Sequence, residues 1–206
     1  MNRRAARFLC VASLVLCLPS CIESTNPLSD PKDAMPDAAL FGFWRGSKEN
    51  EVLIIGRAAE LKDREDIPGG IMRLIKQGIS DENFVGGAGS SFCFVTHLGK
   101  ASYLNIMSAP DQNWDNLEKD NFWLVKYEVS GDKLTIWWMG DKDAAAKVID
   151  AGTLRGTVKR DDDDKKVSSI KFTDTTANLA KYFEKNGASF YPEANKAEYT
   201  RIGGKR

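Results

Sequence analysis

From residue 40 onward the chain runs in short segments whose apolar and polar positions alternate. The segments that read as strands are 40–46 (LFGFWRG), 51–57 (EVLIIGR), 91–97 (SFCFVTH), 100–107 (KASYLNIM), 121–129 (NFWLVKYEV), 132–139 (DKLTIWWM), 153–160 (TLRGTVKR), 167–173 (VSSIKFT) and 196–202 (KAEYTRI). They are rich in aromatic and β-branched residues and are bounded by Gly, Asp, Asn or Lys. Ser130-Gly131-Asp132 predicts a hairpin between two of the strongest segments, and Gly99 predicts another. Helical spacing appears at 174–186, where Leu179, Tyr182 and Phe183 fall at i, i+3 and i+4, between an expected Asp174 N-cap and the Asn186-Gly187 stop. Residues 142–150, ended by Gly152, form a shorter helical candidate, and 70–78 a third, inside an irregular excursion from 58 to 90 that closes on the glycines of 86–89.

Nine short strands at this spacing predict an antiparallel sandwich or barrel. The first carries Gly42-Phe43-Trp44. Its G-x-W pattern, followed by eight strands with a helix before the last, resembles the lipocalin-like barrels over residues 40–202. The resemblance implies a mainly β fold: an antiparallel barrel of eight to nine strands with two or three short helices. It gives Gly42 and Trp44 structural roles, and implies that Arg201 packs on the tryptophan.

Strand parity sorts the side chains into faces. Trp123, Val125, Tyr127 and Val129 share one face; so do Leu134, Ile136 and Trp138, and so do Cys93, Val95 and His97 against Phe92 and Phe94. A small barrel either holds one ligand or is filled by its own side chains. The first alternative makes Trp123, Tyr127 and Trp138 the contacts of a small apolar ligand; the second makes the barrel a solid body that meets an envelope protein by its surface.

The N-terminal stretch has a different pattern. Arg3, Arg4 and Arg7 precede an apolar run from Phe8 to Pro19, too short for the roughly 20 residues that cross a bilayer core. It ends in Leu18-Pro19-Ser20-Cys21. This resembles the signal and lipobox of bacterial lipoproteins, which implies cleavage before Cys21 and lipidation of that cysteine as a membrane anchor. Ile22, where an Asp would imply retention at the inner membrane of a two-membrane cell, implies an outer-membrane position facing the periplasm. The proline-rich piece after it, IESTNPLSDPKDAMPDAA, is expected to be a semi-extended tether of roughly 3 Å per residue, reaching roughly 50 Å. The expected organisation is a signal over 1–20, lipidated cysteine and tether over 21–39, and a barrel domain over 40–206.

Charge and cysteines narrow the remaining chemistry. The whole chain balances 29 basic against 29 acidic residues. Loss of the signal removes three arginines and leaves a mildly acidic protein with no basic cluster for nucleic acid. Cys10 and Cys17 leave with the signal, so a lipidated Cys21 leaves Cys93 without a partner. His97 is the single histidine, which excludes a Cys/His zinc site. Cys93 and His97 share a strand face about 13 Å apart at roughly 3.3 Å per residue, too far for a nucleophile–base pair. The run of Asp at 161–164, followed by Lys165 and Lys166, lacks the spacing of a calcium loop and reads as a solvated hairpin tip. No phosphate loop or dinucleotide fingerprint is present. The sequence therefore predicts no catalytic residues, no metal and no cofactor.

Overall fold

Each apolar segment finds its partner next to it in sequence, and that local pairing builds the barrel. The computed structural model describes residues 22–203 except 48–49, 81–82, 109–113, 117–119 and 163–164, with backbone alone at 80, 83–88, 108 and 116. The expected signal, Cys21 and residues 204–206 lie outside the described residues, as does half of the Asp run. The described strands are β1 (Ile22–Ser24), β2 (Gly42–Gly46), β3 (Glu51–Arg57), β4 (Met72–Ser80), β5 (Asn83–Leu98), β6 (Ala101–Ser108), β7 (Phe122–Ser130), β8 (Lys133–Trp137), β9 (Gly156–Arg160), β10 (Val167–Phe172) and β11 (Lys196–Ile202). The two α-helices are α1 (Lys142–Asp150) and α2 (Thr176–Asn186).

Strands β2 to β8 pair antiparallel in chain order; β11 then pairs with both β8 and β2 and closes an eight-stranded barrel. Tight hairpins set the register. Leu98 pairs with Ala101 across Gly99 (φ +57°), and Ser130 with Lys133 across Gly131 (φ +60°). The inner faces follow the expected parity: Trp44, Leu53, Ile55, Met72, Leu74, Cys93, Val95, Leu104, Ile106, Val125, Tyr127, Leu134, Ile136 and Tyr199 meet in one buried cluster.

The outer faces of β5 to β8 are covered as well. β1 joins β7 at Ser24–Phe122 and runs parallel to β10, which pairs with β9. This small sheet, with α1 and α2, encloses a second core of Phe92, Phe94, Tyr103, Met107, Phe122, Leu124 and Trp137 with Ile22, Phe172, Leu179, Phe183 and Phe190. Burial on both sides explains why SFCFVTH and FWLVKYEV read as nearly continuous apolar runs. The same effect makes the strands of doubly covered sheets read that way.

Four expectations need correction. Residues 70–78 are not helical: Met72–Ser80 is a barrel strand paired with β3 from Arg57–Met72 to Glu51–Gly78 and with β5 on its other edge. MRLIKQG suits either period, and two hairpin partners decide it. The 58–90 excursion is therefore mostly barrel wall. The segments at 153–160 and 167–173 belong to the outer layer, not to the barrel. α2 is capped by Thr175, whose hydroxyl accepts from Asn178 N at 3.3 Å, while Asp174 accepts from Arg155 N, Thr175 N and Asn178 Nδ2.

The fourth correction concerns the tether. Residues 22–39 are packed, so among the described residues the fold takes in this segment and does not begin at residue 40. Ile22 and Leu28 are fully buried. Buried Asn105 accepts from Leu28 N at 2.8 Å and donates to Thr96 Oγ1 (2.8 Å) and Phe94 O (3.3 Å); Ser29 Oγ lies 2.5 Å from Thr96 Oγ1. Farther on, Gly70 has no Cβ because one would overlap the Ala34 carbonyl. A few apolar residues in an otherwise polar segment, Ile22, Leu28 and Ala34, suffice here, since the barrel's outer face supplies the rest of the core.

Asn105→Ala is expected to lower unfolding stability by about 2 kcal/mol, because Leu28 N and Thr96 lose a buried partner. Urea unfolding measures the loss, and hydrogen exchange should accelerate in residues 22–29 first. Unchanged protection there would mean that Asn105 does not hold the segment.

Candidate functional site

The barrel's two ends differ. At one end the segment 37–41 crosses the opening in a short 3-10 turn, with Leu40 fully buried. Three side-chain groups clasp its carbonyls: Trp44 Nε1 donates to Leu40 O at 2.7 Å, Arg201 Nη2 to Ala39 O at 2.7 Å, and Arg201 Nη1 to Phe41 O. The Arg201 guanidinium carbon lies 3.9 Å from the Trp44 ring centre, and Arg201 pairs with Trp44 in the β2–β11 ladder. Gly42 has φ +134°, and a Cβ there would stand 2.8 Å from Arg201 Nη1, so only glycine fits. The structure thus brings Gly42, Trp44 and Arg201 into one constellation.

Tyr127 belongs to this closed end. Its side chain is buried, and its hydroxyl donates to Asp37 Oδ2 at 2.7 Å. Burial first, and the Asp37 carboxylate second, push its pKa up. Its hydroxyl holds the 37–41 segment, and Tyr127 also lines a groove of about 610 Å³ with Asp37, Lys126 and Glu128.

At the other end the inner wall turns polar. Glu51, in phase with Leu53 and Ile55, is only 5% exposed. Its carboxylate pairs with Lys76 Nζ at 2.6 Å and accepts from Tyr199 Oη at 2.5 Å. A buried carboxylate needs such partners, since desolvation alone costs several kcal/mol. A cleft of about 220 Å³ opens beside it, lined by Gly46, Ser47, Glu51, Glu193, Lys196, Ala197, Glu198 and Tyr199. Sequence reasoning missed this site, although a lone acid on an apolar strand face was its signal.

Trp123 and Trp138 are half-buried and pack on the inner cluster. Trp123 pairs with Ile106. The three candidate ligand contacts are therefore divided, with Tyr127 bonded within the closed end and the two tryptophans at the margin of the core.

Cys93 is fully buried on the inner face opposite Ile106, and burial pushes its thiol up to about 12. His97 is exposed, pairs with Ser102 in the ladder, and has Nδ1 2.9 Å from Ser102 Oγ. The two are four rungs apart on one strand and form no nucleophile–base pair. Among the described residues no group of three or more His, Cys, Asp or Glu side chains is arranged to hold a metal ion.

Two measurements check this geometry. Arg201→Met should lower stability by about 2–4 kcal/mol, through loss of the stacked cation and its carbonyl bonds; an unchanged unfolding midpoint would refute the clasp. The native Cys93 thiol should resist a thiol reagent at pH 8 and react once urea unfolds the chain. The ordinary thiol value is 9.0, so above that pH the unfolded chain releases a proton that the folded chain keeps. Stability should therefore fall as pH rises from about 9 toward 12.

Compared with protein-family models, curated proteins and solved structures, the chain matches none of them.

Proposed function

We propose that this chain is an envelope lipoprotein, anchored through Cys21, whose barrel is a solid scaffold that acts by its outer surface. The observation that carries the reading is the packed interior, where inner-facing side chains from all eight strands meet in one buried cluster. The cleft beside Glu51 holds about 220 Å³ and a groove at the other end, lined by Asp37, Lys126, Tyr127 and Glu128 among others, about 610 Å³; charged groups edge both, which suits polar surface contacts better than a small apolar ligand. The anchor is supported by the Leu18-Pro19-Ser20-Cys21 motif.

The surface offers an apolar strip suited to a protein partner in the envelope. Phe43 is 53% and Ile202 47% exposed, and the two pair across β2 and β11. Ile54 continues the row on β3 and Ile75 on β4. This lies on the side of the barrel that the outer layer leaves bare.

A second reading keeps a small ligand. The half-buried Trp123 and Trp138, turned toward the inner cluster, favour it. Such a ligand would rest its apolar part on the tryptophans. Neither reading calls for a catalytic residue, a cofactor or nucleic acid.

Titration of the mature protein with N-phenyl-1-naphthylamine separates the two. A solid scaffold gives no saturable signal. One-to-one binding that Trp123→Ala and Trp138→Ala both weaken overturns the scaffold reading in favour of the ligand.

A further inference from the structure

We infer that the mature protein sits directly on the bilayer in one fixed orientation, with the β1–β10–β9 side of its outer layer against the lipid headgroups. The inference rests on lipidation of Cys21, the anchor of the proposed function.

The argument is one of slack. Cys21 is joined to Ile22 by a single peptide bond, and Ile22 is fully buried and paired with Ile170. Consecutive Cα atoms lie about 3.8 Å apart, so acyl chains on residue 21 emerge next to the folded body. The chain beyond Ile22 has no freedom to swing. Thr25 N donates to Phe172 O at 2.8 Å, Asn26 Nδ2 to Asp174 O at 2.9 Å, and Leu28 N to Asn105 Oδ1 at 2.8 Å, while Asp37 holds Tyr127 at 2.7 Å. A polar spacer of this length would otherwise let the domain roam tens of ångströms from the surface, on the order of 50 Å at full reach.

The parallel register identifies the side. Ile22 lies opposite Ile170 and Ser24 opposite Phe172, so the chain arrives from the side of β10 residues 167–169. On β9, Lys159 faces Ser169 and Arg160 faces Val167, and both are exposed. The same hairpin carries exposed Asp161 and Asp162, so its charge is mixed. The acyl chains, and not a basic patch, hold this side down. β1 hangs from β7, and β2 lies three places away around the eight-strand ring, so Arg45, exposed on the outer face of β2, points elsewhere.

Energy transfer tests the arrangement. The lipidated protein carrying a donor dye at Lys159→Cys or at Arg45→Cys is placed in vesicles of phosphatidylethanolamine and phosphatidylglycerol with a rhodamine acceptor on a few headgroups. Buried Cys93 stays unlabelled in the native fold. Transfer is expected to be several-fold stronger from position 159, and a ten-residue Gly-Ser insertion after Cys21 should equalise the two. Equal transfer without the insertion, or stronger transfer from position 45, overturns the inference while leaving the anchor intact, provided the protein carries labelled palmitate. A protein that takes up no palmitate overturns the anchor and the inference together.

Discussion

Arg201 lies between the face of Trp44 and the carbonyls of Ala39 and Phe41. The rest of the barrel depends on this contact, because it joins three things that the chain delivers far apart: the first barrel strand, the last one, and the segment that covers the end. An unpaired sheet edge is open to the wrong partner. Closing β11 onto β2 removes both edges at once, and the stacked guanidinium secures that seam at its end. Its hydrogen bonds to the Ala39 and Phe41 carbonyls tie the covering segment to that seam. Gly42 completes the fit by leaving room for Nη1.

The second constraint is the unequal covering of the barrel. Strands β5 to β8 are sandwiched between the inner cluster and the outer layer, while the outer faces of β2, β3, β4 and β11 lack that cover. Asn105 sits within the covered part, on β6, a fully buried amide whose hydrogen bonds fix the N-terminal segment to the sheet. Buried polar groups of this kind specify one arrangement, since any shift leaves them unpaired. β1 and the exposed apolar strip of Phe43 and Ile202 consequently lie on different sides of the barrel.

Much of the barrel was legible because alternation in a half-buried strand is a strong local signal. The faces of β7 and β8 came out as read, with Val125 and Tyr127 inside and Trp137 outside. β4 was not legible, because Met-Arg-Leu-Ile-Lys-Gln satisfies a helical and an extended period equally and the deciding partners lie on other strands. The packed state of residues 22–39 was hidden for a related reason. Their few apolar side chains are buried by a surface that exists only once β5, β6 and β7 have assembled. Of the candidate site, the clasp of Gly42, Trp44 and Arg201 was readable from a motif, whereas the Glu51–Lys76–Tyr199 group required register between strands distant in sequence.

The pairing of β1 with β10 sets an order of assembly. The barrel grows by hairpins whose ends are close in sequence, such as Leu98 with Ala101. β1 depends on partners near the other end of the chain; Asn26 and Asp174, for example, are 148 residues apart. Long closures cost more entropy and come late. The joining of β1 to β10 and of β2 to β11, each between residues about 150 positions apart, thus follows the hairpins that build the wall between them.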